Sequence, residues 1–304
     1  MPVRCRRSAI NSQKYAIALH GGAGPVAGRE YSLTEAHLRE LVEDCQSRLA
    51  SGSTALDVVE YAVATMETCG LYVAGRGSAP NSAGYVELDA SIMDGSTRAA
   101  GAVAAIRDVV NPVRVARGVM ESTVHIMLAG NGALAFARQH KFEEVADAEH
   151  YYMLPVGVTA DEIKKQKHGT VGAVALDQSG QVAAATSTGG TFAKLEGRVG
   201  DTPLVGAGTW ADDGVAISCT GTGEHIIRAG GAISIACNVR SGTSLHAAID
   251  QMLAEVKGLG GEAGVIAVTK NGDIAMIYNS QGMKRAAVSA SKPLVVATFA
   301  EEDL

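Results

Sequence analysis

The chain has 304 residues, 47% of them hydrophobic, and a formal net charge of −6: enough apolar material for a large core, and no positive field with which to hold a polyanion. Nucleic acid is therefore excluded as the expected partner, and no run of about 18 apolar residues offers a membrane span. Thirty-six glycines beside a 4% aromatic content point to closely apposed backbones, as where sheets and helices stack in layers.

The start, Met1-Pro2-Val3-Arg4-Cys5-Arg6-Arg7, is basic, and no apolar run of signal-peptide length follows. Cys5, Cys45, Cys69, Cys219 and Cys237 show no paired CxxC spacing, which argues against a disulfide framework or a zinc site. The expected location is the cytoplasm. Tyr15 to His20 reads as a buried strand running into the turn His20-Gly21-Gly22-Ala23-Gly24. That turn lacks the GK[ST] ending or GxGxxG spacing of a phosphate cradle and is read as tight backbone packing. Ser32 or Thr34 is placed to cap a helix with Leu38, Leu41, Val42 and Cys45 on one face. A second helix follows from Thr54 through Met66. Tyr85 to Ile92 and Ala100 to Ile106 have strand character, and helices are expected over Val113 to Met120 and Ala133 to His140.

Between Gln139 and Gly169 the periodicity lapses into charged stretches, Lys141-Phe142-Glu143-Glu144 and Asp161 to Lys167, read as a solvated, mobile connection. It ends in His168-Gly169-Thr170, where the threonine opens an apolar strand, Val171 to Leu176. That strand is expected to pair with Gln181 to Thr186 through a turn at Ser179-Gly180. Val265 to Thr269 and Asp273 to Tyr278 form a second hairpin across Asn271-Gly272. A helix over Ser244 to Val256 separates the two pairs.

Hydrolysing an amide needs a nucleophile, a proton acceptor, and donors aimed at the oxyanion that develops on the carbonyl oxygen. A cut between Gly169 and Thr170 gives Thr170 a free α-amine beside its own hydroxyl, a nucleophile carrying its own base. Thr188 supplies a second hydroxyl to hold or polarise it. Thr220 and Gly221 supply a hydroxyl and a backbone N–H for the oxyanion. Arg198 and Asp201, three residues apart, read as an ordinary surface ion pair or as something sharper. A planar guanidinium and a carboxylate in one pocket would clamp the carboxylate and ammonium of an α-amino acid. Such a clamp leaves only the β-carbonyl of an L-aspartyl unit to be cut and excludes internal peptide bonds.

Together with His20 to Gly24, Thr186-Ser187-Thr188-Gly189-Gly190, Gly197 to Pro203 and Thr220-Gly221-Thr222-Gly223-Glu224, the segment around Thr170 resembles the plant-type asparaginases and isoaspartyl peptidases. These belong to the N-terminal-nucleophile hydrolases, and the likeness spans nearly the whole chain. It implies an α+β fold, a four-layer αββα sandwich, in one intertwined domain of residues 1–304. It also implies self-cleavage into an α subunit, 1–169, and a β subunit, 170–304, assembled as (αβ)₂. Thr170 would be the nucleophile, Thr188 its hydroxyl partner, and Thr220 and Gly221 the oxyanion hole. Arg198 would bind the α-carboxylate and Asp201 the α-amine of the substrate, with Gly223 a further contact. No cofactor is implied for catalysis. A structural sodium would sit among the main-chain carbonyls of Met66, Glu67, Cys69, Tyr72, Ala74 and Arg76.

The expected reaction releases L-aspartate from asparagine or from isoaspartyl dipeptides. One departure stands out: the family usually has asparagine where this chain has Val73, near the nucleophile, and valine cannot hydrogen-bond. That change bears on self-cleavage or on preference, for example for a basic second residue as in β-Asp-Arg. Two alternatives stay open. A glycosylasparaginase would use the same nucleophile, though that group has aspartate where Gly169 stands, and an uncut, inert homologue would only bind β-aspartyl ligands.

Overall fold

The computed structural model describes residues 14–155, 158–159 and 169–300. The basic start with Cys5, the charged run Asp161 to Lys167 and His168 lie outside the described residues. Among the described residues, twelve strands form two sheets. The larger runs in the order β12 (Val295–Ala297), β11 (Arg285–Ser289), β1 (Ala16–His20), β5 (Val171–Leu176), β6 (Val182–Thr188), β2 (Leu88–Asp94), β3 (Ala100–Ile106), β4 (Met127–Ala129). Its pairs are antiparallel except β3 with β4. The smaller runs β10 (Ile274–Tyr278), β9 (Ala263–Thr269), β8 (Val215–Gly221), β7 (Thr209–Ala211).

Helices flank both sheets. Against the larger one pack α1 (Ser32–Ala50), α2 (Ala55–Thr68), α3 (Pro112–Ser122) and α4 (Gly130–Gln139), and a short helix, α5 (Ala148–Tyr151), follows. After the glycine-rich loops come α6 (Gly223–Arg228), α7 (Gly231–Arg240) and α8 (Leu245–Gly258), the last two lying on the smaller sheet. One apolar cluster joins Leu38, Val42, Val59 and Val63 of α1 and α2 to Ile17, Leu19, Val171 and Ala173 of the larger sheet. A second joins Ile235, Ile249 and Val256 to Ile217 and Val265 of the smaller. A third fills the space between the sheets, largely with alanines (Ala16, Ala18, Ala184, Ala211, Ala216, Ala287) beside Val174, Val268 and Ile266. Small side chains let two sheets approach closely, which accounts for the alanine- and glycine-rich composition. Truncating a buried leucine such as Leu38 to alanine costs about 2–5 kcal/mol at such sites.

Strands β1, β5, β6, β8 and β9 are buried along their whole length. A strand covered on both faces reads as a continuous apolar run without alternation, so β8, with its sequence VAISCTG, was not marked as a strand by its pattern. The helices over Thr54 to Met66 and Ser244 to Val256 form as expected, capped by the side chains of Thr54 and Ser244 on Asp57 N and Ala247 N. Helix α1 does not use the expected cap. Tyr31 occupies the cap position without a side-chain bond, the Ser32 hydroxyl donates to Glu30, and Thr34 is buried inside the helix. Both expected hairpins form, each with a three-residue loop closed by a glycine in the left-handed region, Gly180 at φ +84° and Gly272 at φ +89°. Asn271 keeps ordinary φ, so the turn is a bulged one rather than the two-residue type an Asn-Gly pair suggests. The segment Lys141 to Glu144 is docked rather than free. Glu143 and Glu144 pair with Val110 and Val109, and Phe142 packs near Phe136.

No helix among the described residues is long and apolar enough to cross a membrane. Cys45, Cys69, Cys219 and Cys237 are free thiols.

Candidate active site

Strands β5 and β6 lie side by side at the middle of the larger sheet, with Val171 opposite Ser187. Continuing that register by one residue sets Thr170 opposite Thr188. Thr170 is buried, and its Oγ1 lies 3.4 Å from Thr188 Oγ1. The Thr188 hydroxyl donates to the carbonyl oxygen of Gly169 and accepts from Gly190 N at 2.9 Å. One hydroxyl thus bridges Thr170 Oγ1 and the carbonyl of the Gly169–Thr170 bond, accepting from the first while donating to the second.

The turn His20 to Gly24 is packed tightly, as its sequence suggests, and it is packed against this bond. Gly22 has φ +101°, and a Cβ there would sit 3.3 Å from Thr170 O and 3.4 Å from Thr170 N. The next residue in the turn, Ala23, donates its N–H to Thr220 Oγ1 at 3.3 Å, which brings the end of β8 to the same place. Gly221 has φ +143°, and a Cβ there would lie 2.3 Å from Glu262 O, so the end of β8 admits only glycine. His20 itself is fully buried, its imidazole pushed down to about 3 by burial, and Nε2 meets Ser218 Oγ at 2.9 Å. It is a neutral core histidine, held through Nε2 alone among the described residues.

Val73 lies directly on Gly169: a Cβ on the glycine would be 2.7 Å from Val73 Cβ, and Val73 O accepts from Gly189 N at 3.0 Å. An apolar side chain therefore covers Gly169. A cavity of about 60 Å³ opens beside it, lined by Gly22, Val73, Gly169, Phe192 and Lys284, with Pro155 and Val158 in its wall.

Arg198, Asp201 and Gly223 are brought together. A Cβ on Gly223 would lie 2.8 Å from Asp201 Oδ1 and 3.1 Å from an Arg198 Nη, so glycine keeps the space between them open. Asp201 is buried, its Oδ2 accepts no hydrogen bond from the described residues, and burial pushes its carboxyl up to about 7. Arg198 does not pair with Asp201. Its fork grips Glu224 at the start of α6, Nε to Oε1 and Nη2 to Oε2, both at 2.9 Å. Glu224 lies in a motif the sequence singled out but had no role there. It takes a two-point hold on the guanidinium that a substrate carboxylate would also seek.

The loop from Met66 to Arg76 curls on itself. Gly75 is left-handed at φ +51°, its Cβ position 2.3 Å from Glu67 O, and a Cβ on Gly77 would meet Tyr72 O at 1.9 Å and Gly70 O at 3.3 Å. The carbonyls of Tyr72, Ala74 and Arg76 accept from Ala74 N (2.9 Å), Gly77 N (3.1 Å) and Met153 N (2.9 Å). Each retains a second lone pair. Glu67 anchors the loop's base, its carboxylate accepting from Val113 N at 3.1 Å and Asn111 Nδ2 at 3.0 Å. No group of three or more His, Cys, Asp or Glu side chains arranged for a metal occurs among the described residues.

Compared with known proteins, the chain matches a family model described as Asparaginase over residues 13–153 and 147–297. It is 44% identical over 298 residues to an isoaspartyl peptidase of Escherichia coli, covering 90% of this chain and 92% of that protein. An isoaspartyl peptidase of Salmonella typhimurium is 44% identical over 90% of this chain and 95% of its own length. An isoaspartyl peptidase/L-asparaginase of Danio rerio is 40% identical over 91% of this chain and 93% of its own.

Proposed function

The chain belongs to this asparaginase family, and we propose that it is a self-processing threonine hydrolase that cleaves the β-amide of L-aspartyl substrates, isoaspartyl dipeptides and L-asparagine, releasing L-aspartate. The two sheets flanked by helices are read as the four-layer αββα sandwich of the N-terminal-nucleophile hydrolases. The observation that most supports the reading is the contact of Thr188 Oγ1 with both Thr170 Oγ1, at 3.4 Å, and the Gly169 carbonyl. In self-cleavage the Thr170 hydroxyl attacks the Gly169 carbonyl carbon, the C–N bond breaks, and water hydrolyses the resulting ester. That leaves subunits 1–169 and 170–304.

In turnover the freed α-amine of Thr170 takes the hydroxyl proton as Oγ1 attacks the substrate β-carbonyl. The oxyanion faces the Thr220 hydroxyl and the Gly221 N–H, and the proton passes to the leaving amine. Water then releases aspartate. Arg198 holds the α-carboxylate, with Glu224 steadying the guanidinium, and Asp201 takes the α-ammonium beside Gly223. The curled loop fits a structural sodium held by the carbonyls of Met66, Glu67, Cys69, Tyr72, Ala74 and Arg76, since hard cations take such oxygens. Two such αβ units would assemble as (αβ)₂.

The test is a panel of β-Asp-Leu, β-Asp-Arg, L-asparagine and the α-linked Asp-Leu, assayed on the cleaved protein from about pH 5.5 to 8.5. The β-linked compounds are expected to be hydrolysed and the α-linked one left intact. No β-aspartyl hydrolysis would overturn the proposal. Turnover of β-Asp-Arg no faster than β-Asp-Leu would discard a tuning by Val73 toward basic leaving residues.

The same series reads Asp201. Its folded carboxyl titrates near 7, so below that pH the protonated form loses the charge that holds the ammonium. KM is expected to rise as pH falls below about 7, approaching tenfold per unit. The stability effect runs with the same proton: a carboxyl raised on folding contributes fully below about pH 4 and loses that contribution as pH rises through 7.

A further inference from the structure

Lys194 is a charge inside the protein, only 2% exposed. An ammonium is buried at a cost unless something holds it. What holds it lies on β2 and just before it. Nζ donates to the carbonyl of Glu87 at 2.9 Å, and the carboxylates of Glu87 and Asp89 supply the opposing charge. Asp89 stands directly across the sheet from Thr188, and its Oδ1 accepts from Ala105 N at 2.7 Å.

The side chain of Lys194 then touches the two halves of the site by separate routes. It packs over Gly190, where a Cβ would lie 2.9 Å from Lys194 Cδ and 3.0 Å from Nζ. The Gly190 N–H is the donor to Thr188 Oγ1, at 2.9 Å. On the other side, the Glu87 whose carbonyl it grips uses its carboxylate to hold Gly197 N at 3.0 and 3.1 Å, one residue before Arg198. The backbone N–H of Ser82 bonds to Lys194 O at 2.8 Å, fixing the residue from a third direction. The adjacent Ala193 is held at φ +51°, a conformation a non-glycine residue adopts only when its surroundings enforce it.

We propose that Lys194 is a positioning residue of the hydrolase, a buried tether from strand β2 to the loop between Gly189 and Asp201 that fixes the Thr188 hydroxyl and Arg198 relative to one another. The inference rests on the reading of this site as a β-aspartyl hydrolase. Among the described residues Lys194 makes no hydrogen bond to Thr170; it acts through Gly190 on one side and through Glu87 and Gly197 on the other. Without it, the loop keeps its fold but loses its fixed distance from the nucleophile, and a misplacement of about 1 Å costs on the order of a hundredfold in catalysis.

The experiment compares wild type with Lys194→Met, which keeps the length of the side chain and removes its donor and charge. Each is assayed with β-Asp-Leu at equal concentrations of cleaved, Thr170-headed subunit. The expected result is kcat/KM lower by about a hundredfold, shared between a raised KM and a lowered kcat, with an unchanged far-ultraviolet spectrum. A lysine that only supports the fold would reduce the amount of cleaved protein and leave KM per active site as it was. KM and kcat within twofold of wild type would overturn the proposal.

If Lys194→Met does not fold, Glu87→Gln decides. It is isosteric but presents an amide where one of the Gly197 N and Asn81 Nδ2 donors now finds a carboxylate oxygen. A several-fold rise in KM is expected there, and an unchanged KM overturns the tether. Wild type that cleaves no β-aspartyl substrate overturns the hydrolase reading and the tether with it, whereas an active wild type with an indifferent Lys194→Met overturns the tether alone.

Discussion

Thr170→Ala is expected to remain a single uncut chain and to lose β-aspartyl hydrolysis by about 10⁴-fold or more, the scale seen when a nucleophile that works as part of a unit is deleted. The loss should be chemical and not structural. Thr170 is buried, yet among the described residues its side chain makes one hydrogen bond, to Thr188 Oγ1 at 3.4 Å, and that hydroxyl keeps its bonds to Gly169 O and Gly190 N without it. Removing one such long bond costs about 1 kcal/mol or less, so the melting temperature should move by only a few degrees. Thr170→Ser keeps the oxygen and is expected to cut itself and to turn over, more slowly. Gel electrophoresis and a β-Asp-Leu assay on both variants check this. An alanine variant that still hydrolyses the dipeptide would remove Thr170 from the chemistry.

Arg198→Ala is expected to separate the two reactions, leaving self-cleavage intact while kcat/KM for β-Asp-Leu falls about a thousandfold, mostly through KM. Truncating one partner of a hydrogen-bonded charge pair in a desolvated site costs about 2–5 kcal/mol. Here the Arg198 side chain is 16% exposed, while Glu224, which it grips through two bonds of 2.9 Å, is 55% exposed, so the loss is ascribed to the substrate carboxylate and not to the pair with Glu224. Among the described residues none of its hydrogen bonds or ion pairs reaches Gly169 or Thr170, so self-cleavage there is expected to be unaffected. Arg198→Lys should be nearly as damaging, because an ammonium cannot reproduce the planar two-point hold. The variant also has a signature in pH. The Arg198 charge holds the Asp201 carboxyl down against burial, so its removal should move the acid limb of KM to higher pH. The measurement is kcat and KM across pH for the cleaved variant. An unchanged KM would remove Arg198 from substrate binding.

How much of this was legible in the sequence follows from the distance over which each feature is specified. The hairpin that carries Thr170 and Thr188 is local: two apolar runs, a short loop and a glycine, so its register could be anticipated and the two hydroxyls fall opposite each other. The clamp was legible as residue types, since a guanidinium and a carboxylate in a glycine-rich loop suit an amino-acid head group. Its geometry was not. Arg198 closes on Glu224, 26 residues on, while Asp201 keeps an open oxygen. Lys194 looked like any polar-loop lysine, because Glu87, which holds it, lies 107 residues earlier and only the folded sheet brings Glu87 and Asp89 to it. Strand β8 was missed because burial on both faces erases alternation. The cap of α1 was misplaced because Ser32 finds Glu30 instead of the backbone. Val73 was marked as a departure, but its contact with Gly169 exists only once the curled loop is closed.

The central claim is that this chain makes its own nucleophile, and mass spectrometry with N-terminal sequencing of the purified wild-type protein tests it most directly. The account predicts two fragments, the smaller beginning at Thr170, from a precursor of 31.2 kDa. A full-length chain that persists on prolonged incubation, or a fragment that begins at any other residue, would contradict it.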